Sequence, residues 1–209
     1  MLKIQNILEI ENHLDGIKAV IFDLDDTLYN EIDYIKSGFS KISKAFPQVK
    51  DMRDKLWRAY QSGKKPINQV LADEKLDSDE NIARCLAVYR FHKPNIVLDV
   101  QIQELLHRIK VQGIKLGIIT DGRIEGQRAK IDALELKEIF DEIIITDELG
   151  GPEFRKPNEK AFVLMCEKLN VLYTEAVYVG DNVRKDFIAP EKLGMQSIWF
   201  VNPKGIYNK

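Results

Sequence analysis

Short runs of apolar residues rich in Val and Ile recur along the chain: AVIF, KLGIIT, EIIIT, AVYVG and SIWFV. Each is bounded by a polar cluster and followed by a stretch whose apolar positions fall three or four apart, as in QIQELLHRIK, IEGQRAKIDAL, EKAFVLMCEKL and RKDFIAPEKL. Continuous apolar runs are the pattern of strands buried on both faces, and the longer period is that of amphipathic helices. Their alternation predicts an α/β fold, a parallel sheet joined by right-handed helical crossovers. The segment 30–95 breaks the alternation, carrying several helical patterns and no strand pattern. Strand-to-helix connections usually run to about 2–6 residues, so this segment predicts an inserted helical lid or binding subdomain. The expected division is a core of residues 1–29 and 96–209 with a helical cap at 30–95, hinged near Leu28–Asn30 and Pro94–Asn95.

A chain of 209 residues with 44% hydrophobic content supports one core with a smaller satellite. Its 31 basic and 33 acidic residues give a net charge of -2, which argues against recruitment by nucleic acid or an anionic membrane and toward small-molecule partners. Within 30–95 the balance reverses to 13 Lys and Arg against 9 Asp and Glu. That excess suits a phosphate-bearing substrate and equally suits ordinary solvated helix faces. Cys85 and Cys166 are far apart and lack ligand spacing, so they read as reduced, buried thiols. No run has the length of a signal peptide or a membrane span, and a cytoplasmic location is the default expectation. Oligomeric state is not legible.

The chemistry gathers at strand ends. VIFDLDDTL carries Asp23, Asp25 and Asp26 directly off a buried strand, where clustered carboxylates repel one another unless a cation or proton lies among them. Capping of backbone amides by Asp and Thr is the structural alternative. IITDGR ends a second strand with Thr120, Asp121 and Gly122, a hydroxyl and turn amides that can hold phosphate oxygens. Lys156 precedes Pro157 and Asn158 after the third strand, and VYVGDNVRKD places Asp181 and Asp186 after the fourth. In a parallel sheet these ends open onto one rim, so the residues converge.

FDLDDTL, IITDG, Lys156 of RKP and GDNVRKD resemble, in order, the four motifs of the haloacid dehalogenase-like (HAD) hydrolase superfamily, over about residues 18–201. The resemblance implies a Rossmann-like core with the first-motif strand at its centre and a C1-type helical cap. It implies a phosphatase that hydrolyses a small phosphorylated metabolite through an aspartyl-phosphate. Asp23 is then the nucleophile and Asp25 the acid that becomes the base. Thr120 and the amides of Asp121 and Gly122 bind phosphoryl oxygens, with Lys156 beside them. Mg2+ is held by Asp23, Asp181 and the carbonyl of Asp25, with Asp186 behind. Thr27 braces the first loop, while Asp26 and Asn182 serve loop geometry. A sugar phosphomutase of the same superfamily is the nearest rival, a dehalogenase is less well matched because Asp25 and the later acidic pair are retained, and a receiver-like phosphate-binding module is the rival from another class. His92 is expected to pack against the core, Arg123 is either an anion contact or a solvated charge, and His107 has no assigned role.

Overall fold

In a computed structural model, which describes residues 1–206, the strands are β1 (Leu2–Ile4), β2 (Ala19–Phe22), β3 (Lys115–Thr120), β4 (Glu142–Ile145), β5 (Ala176–Gly180) and β6 (Gln196–Phe200). They form one sheet in the order β1-β6-β5-β2-β3-β4, and every pairing is parallel. The chain is therefore α/β and Rossmann-like, with β2 between β5 and β3. All four residues of β2 are buried, which explains why AVIF has no polar alternation. Strand β1 was not anticipated: LKI is too short to show a period, and it adds to the edge of the sheet by pairing with β6.

The chain divides into two compact units, 1–31 with 97–209 and 32–96. In the first, α7 (Lys160–Leu169) lays Phe162, Met165 and Leu169 on one face of the sheet against Ile21, Ile119 and Tyr178. Helix α5 (Val100–Val111) is started by the Asp99 side chain, which accepts from the Gln101 N–H at 2.8 Å, and packs against β3. Helix α6 (Ile124–Ala133) follows β3, and α8 (Ile188–Leu193) is shorter than RKDFIAPEKL suggests, because residues 182–186 form a turn.

The second unit is helical: most of α1 (Glu31–Ala45), then α2 (Met52–Gln61), α3 (Pro66–Asp73) and α4 (Asp79–Phe91). Phe39, Ile42, Phe46, Met52, Leu56 and Leu71 form its own core. A Cβ on Gly38 would lie 2.5 Å from the Tyr89 ring, so the approach of α1 to α4 requires glycine there. His92 packs beside aromatic rings of this unit: its ring lies 4.9 Å from that of Tyr34, and Nδ1 donates to the Tyr89 carbonyl at 2.6 Å. Two of the basic side chains in this segment are neutralised locally, Lys55 by Glu74 and Arg53 by Asp54. Cys85 and Cys166 are both buried free thiols, one in each unit. Among the described residues no helix is long and apolar enough to cross a membrane.

Candidate active site

The Asp23 N–H donates to the Val179 carbonyl at 2.8 Å, so the β2–β5 ladder runs one residue past the strand and delivers the Asp23 carboxylate to the rim. The chain then turns through Asp26, whose φ of 55° is left-handed. That conformation is held from three sides. The Asp26 carboxylate accepts from the Glu31 N–H at 2.9 Å and the Ile206 N–H at 2.8 Å, while its carbonyl accepts from Asn202 Nδ2 at 2.8 Å. The brace is therefore Asp26 with the C-terminal segment, and not Thr27, whose buried hydroxyl has no hydrogen-bond partner among the described residues.

Neighbouring strands supply the remaining groups. Thr120 ends β3, and the Asp121 side chain accepts from Thr146 Oγ1 at 2.9 Å, from the Lys156 N–H at 3.1 Å and from Lys185 Nζ at 2.8 Å. Asp121 thus fixes the backbone of the lysine loop, which Arg155 also holds by a bidentate pair with Asp147 at 2.7 Å. Gly122, at φ 140°, completes the turn in a conformation that favours glycine. Lys156 Nζ is fully buried and reaches Asp23 Oδ1 at 2.6 Å, Asp186 Oδ1 at 2.8 Å and the Tyr178 hydroxyl at 2.8 Å. Asp186 can come this close because residue 180 is glycine: a Cβ there would lie 2.6 Å from Asp186 Oδ2. The Asn182 N–H donates to that same oxygen at 2.9 Å, and Trp199 Nε1 donates to the Asp181 carbonyl at 2.9 Å.

Asp25 has a different environment. Lys130 Nζ reaches its two oxygens at 2.7 and 2.9 Å, Gln127 Nε2 donates to Oδ2 at 3.1 Å, and the Tyr29 hydroxyl donates to Oδ1. Neither Lys130 nor Gln127 is evident in IEGQRAKIDAL as a site residue. The signal was present, because both fall on the stripe of Ile124, Ile131 and Leu134, where polar side chains have no reason to lie unless they have buried partners. Lys185, Thr146, Tyr178 and Asn202 were likewise invisible, since their partners come from distant segments. Arg123 lies exposed at the start of α6, and His107 is exposed on α5.

The charges do not balance. Lys130 neutralises Asp25 and Lys185 neutralises Asp121, which among the described residues leaves Lys156 alone against Asp23, Asp181 and Asp186. Oxygens of those three acids lie within 4.8 Å of one another, and Asp181 Oδ2 is buried with no hydrogen-bond partner among the described residues. Two excess negative charges and an unpartnered carboxylate oxygen, all hard donors, fit a divalent cation such as Mg2+. The metal-free protonation pattern agrees. Burial, followed by the charges of Asp23 and Asp186, pushes Asp181 up to about 8. Burial raises Asp23 to about 6 against the pull of Lys156, with Asp186 adding to the rise. At Asp25 burial also pushes upward, but the charge and hydrogen bond of Lys130, with Tyr29 and Gln127, hold the carboxyl below its ordinary range. Burial opposes the charge of Lys156, but Asp186 and Asp23 keep its ammonium protonated well above the usual lysine range.

A pH dependence follows. The folded protein binds more protons at Asp23 and Asp181 than the unfolded chain, whose carboxyls titrate near 3.8. Their contribution to stability therefore falls as pH rises from about 4 toward about 8. Asp25 and Asp121 shift the other way, so the stability they contribute is fully present above the unfolded value and is lost only as pH drops through their lowered ones. Thermal unfolding should show Mg2+ raising the midpoint more at pH 8 than at pH 5. Equal shifts at both pH values would contradict the coupling.

The model of the family described as haloacid dehalogenase-like hydrolase matches residues 20–200. The chain belongs to that family. This hydrolase is 28% identical over 206 residues to glyceraldehyde 3-phosphate phosphatase of Methanocaldococcus jannaschii, covering 90% of this chain and 86% of the relative. It is 30% identical to the enzyme of the same name from Pyrococcus furiosus, over 88% of this chain and 80% of that one. Among solved structures it resembles an HAD phosphatase from Thermococcus onnurineus, with a TM-score of 0.55 at 28% identity, covering 88% of this chain and 86% of that one. In the hydrolase, then, the four motif positions are the ends of β2, β3 and β5 and the loop after β4, all on the same rim.

Proposed function

We propose that this hydrolase is a magnesium-dependent phosphatase that cleaves a small phosphorylated metabolite through an aspartyl-phosphate on Asp23. The observation that carries the reading is Lys156, buried between Asp23 and Asp186 beside the unpartnered oxygen of Asp181. Such a cluster supports the reading of Asp23 as a nucleophile beside cationic charge that can accept a phosphoryl dianion. Asp23 and Asp181, with the carbonyl of Asp25, would hold the ion. When bound, Mg2+ supplies positive charge to the phosphoryl oxygens and relieves the repulsion among the carboxylates.

The steps themselves belong to the chain. An Asp23 oxygen forms a bond to phosphorus as the bond to the leaving oxygen breaks, and Asp25, which must first take up a proton against the hold of Lys130, gives that oxygen its proton. Water then attacks the same phosphorus, Asp25 takes the water's proton, and the Asp23–phosphorus bond breaks to release inorganic phosphate. Lys156 keeps Asp23 aligned and balances charge. Thr120 and the Asp121 and Gly122 amides are the groups for the transferring phosphoryl oxygens, where charge accumulates in the transition state. The helical unit 32–96 is proposed as the cap that selects the leaving group. The names of the two relatives make glyceraldehyde 3-phosphate the first substrate to try.

The expected result is phosphate release from that compound, or from another member of a panel of small phosphate esters, with Mg2+ present, and its loss in chelator. Undiminished release in chelator would remove the metal from the account, and no release from any member would remove the phosphatase reading.

A further inference from the structure

Asp25 has about four lone-pair positions, and four contacts occupy them: the Tyr29 hydroxyl and Lys130 on Oδ1, Gln127 and Lys130 on Oδ2. Gln127 and Lys130 stand one turn apart on α6 and are both almost wholly buried, at 3% and 4% exposure. A lysine and a glutamine in those positions lose their hydration, and sheet packing alone would be served as well by Leu or Met.

One amide group joins two parts of the site. Gln127 Nε2 donates to Asp25 Oδ2 and also to Thr120 Oγ1. A carboxylate can only accept, so the nitrogen of the Gln127 amide must face Asp25, and its second hydrogen is then available to Thr120. Because the Thr120 oxygen accepts from Gln127, the hydroxyl hydrogen is left to point at another acceptor, the part a phosphoryl oxygen would play. The orientation of that donor and the place of Asp25 are thereby set together.

We propose that Gln127 and Lys130 are positioning residues that lock Asp25 to Thr120, so that proton transfer to the leaving group occurs at a fixed offset from the phosphoryl-binding hydroxyl. This inference rests on the reading of Asp25 as the proton carrier. A proton on Asp25 displaces one of the four contacts, so that position becomes the donor to the leaving oxygen while the three contacts that remain still fix the plane of the carboxyl. A carboxyl freed to rotate would spend much of its time pointing away from the leaving oxygen, and misplacement of a catalytic group by about 1 Å can cost about a hundredfold in rate.

The test uses the leaving group as the readout. Lys130→Met and Gln127→Leu are each compared with the unaltered protein, in Mg2+, on glycerol 3-phosphate, whose alkoxide must be protonated, and on 2,4-dinitrophenyl phosphate, whose phenolate need not be. The expected result is a fall of about 10- to 100-fold in kcat on the alkyl ester, within the span of general acid catalysis, while the first-turnover burst of dinitrophenolate falls by about tenfold less, Gln127→Leu losing there only what the orientation of Thr120 contributes. Equal losses on both esters would mean that the two residues only maintain shape, and no loss on either would mean that Asp25 does not need them; each result overturns the proposal. Gln127→Leu removes the amide with little change in volume and leaves no charge unpaired, so it decides the matter if Lys130→Met does not fold. Asp25→Asn separates the two levels. If it shows the leaving-group dependence and the α6 variants do not, this inference fails and the proton-carrier reading stands. If it spares the alkyl ester, that reading falls and takes this inference with it.

Discussion

Asp23→Asn is expected to abolish phosphate release, lowering kcat by on the order of 10⁴-fold or more, as loss of a covalent nucleophile does elsewhere. The amide has the shape of the carboxylate, but its carbonyl is a far poorer nucleophile toward phosphorus and a weaker partner for Lys156, which reaches Asp23 at 2.6 Å. The carboxylate already carries a handicap, since burial raises it to about 6 when no metal is present. Neutralising it therefore removes a charge that the fold itself does not favour, and the variant is expected to fold. A phosphate-release assay on folded Asp23→Asn checks this. Activity within about tenfold of the unaltered protein would show that another group attacks phosphorus.

Lys156→Met carries the second large effect, and it appears in stability as well as rate. Among the described residues the ammonium is the sole cation within hydrogen-bonding distance of both Asp23 and Asp186, and all three side chains are buried. Truncating one partner of a buried pair leaves an uncompensated charge, at a cost of about 3–5 kcal/mol, and here two carboxylates lose the same partner. The carboxyls will take up protons in response, so the loss measured by urea unfolding should be larger at pH 8 than at pH 5. Saturating Mg2+ should restore part of the stability but little of the turnover, because the ion does not replace a donor that aligns the nucleophile. The expected fall in kcat is about 10²- to 10³-fold, the range for removing one group that stabilises transition-state charge. Unchanged stability at pH 8 would contradict the charge balance described for the cluster.

How far the molecule could be read in advance depended on whether the signal was local. AVIF, KLGIIT and AVYVG announced buried parallel strands because each run is apolar throughout, and the parallel order then required Asp23, Thr120 and Asp181 to share a rim. Strand β1 escaped because three residues have no period. The residue type of Thr27 suits a brace for the first loop, whereas the contacts belong to Asp26 with Asn202 and Ile206, which lie more than 170 positions away in the chain. His92 is expected to pack against the core, and its neighbours include the rings of Tyr34 on α1 and Tyr89 on α4, which the spacing of YRFHKP does not reveal. Lys130 is the instructive omission. A lysine inside a helix pattern reads as solvated until the sheet beneath it is known to end in a carboxylate, and only the fold brings Asp25 under α6.

The central claim is that phosphorus becomes bonded to Asp23. Its most direct test is to quench the protein in acid during turnover with Mg2+, reduce with borohydride, which converts an acyl phosphate to the alcohol, and map the product by peptide mass spectrometry. The account predicts homoserine at position 23, present only when substrate and Mg2+ are both supplied. Phosphate release with position 23 unmodified, or with the label at a different carboxylate, would contradict it.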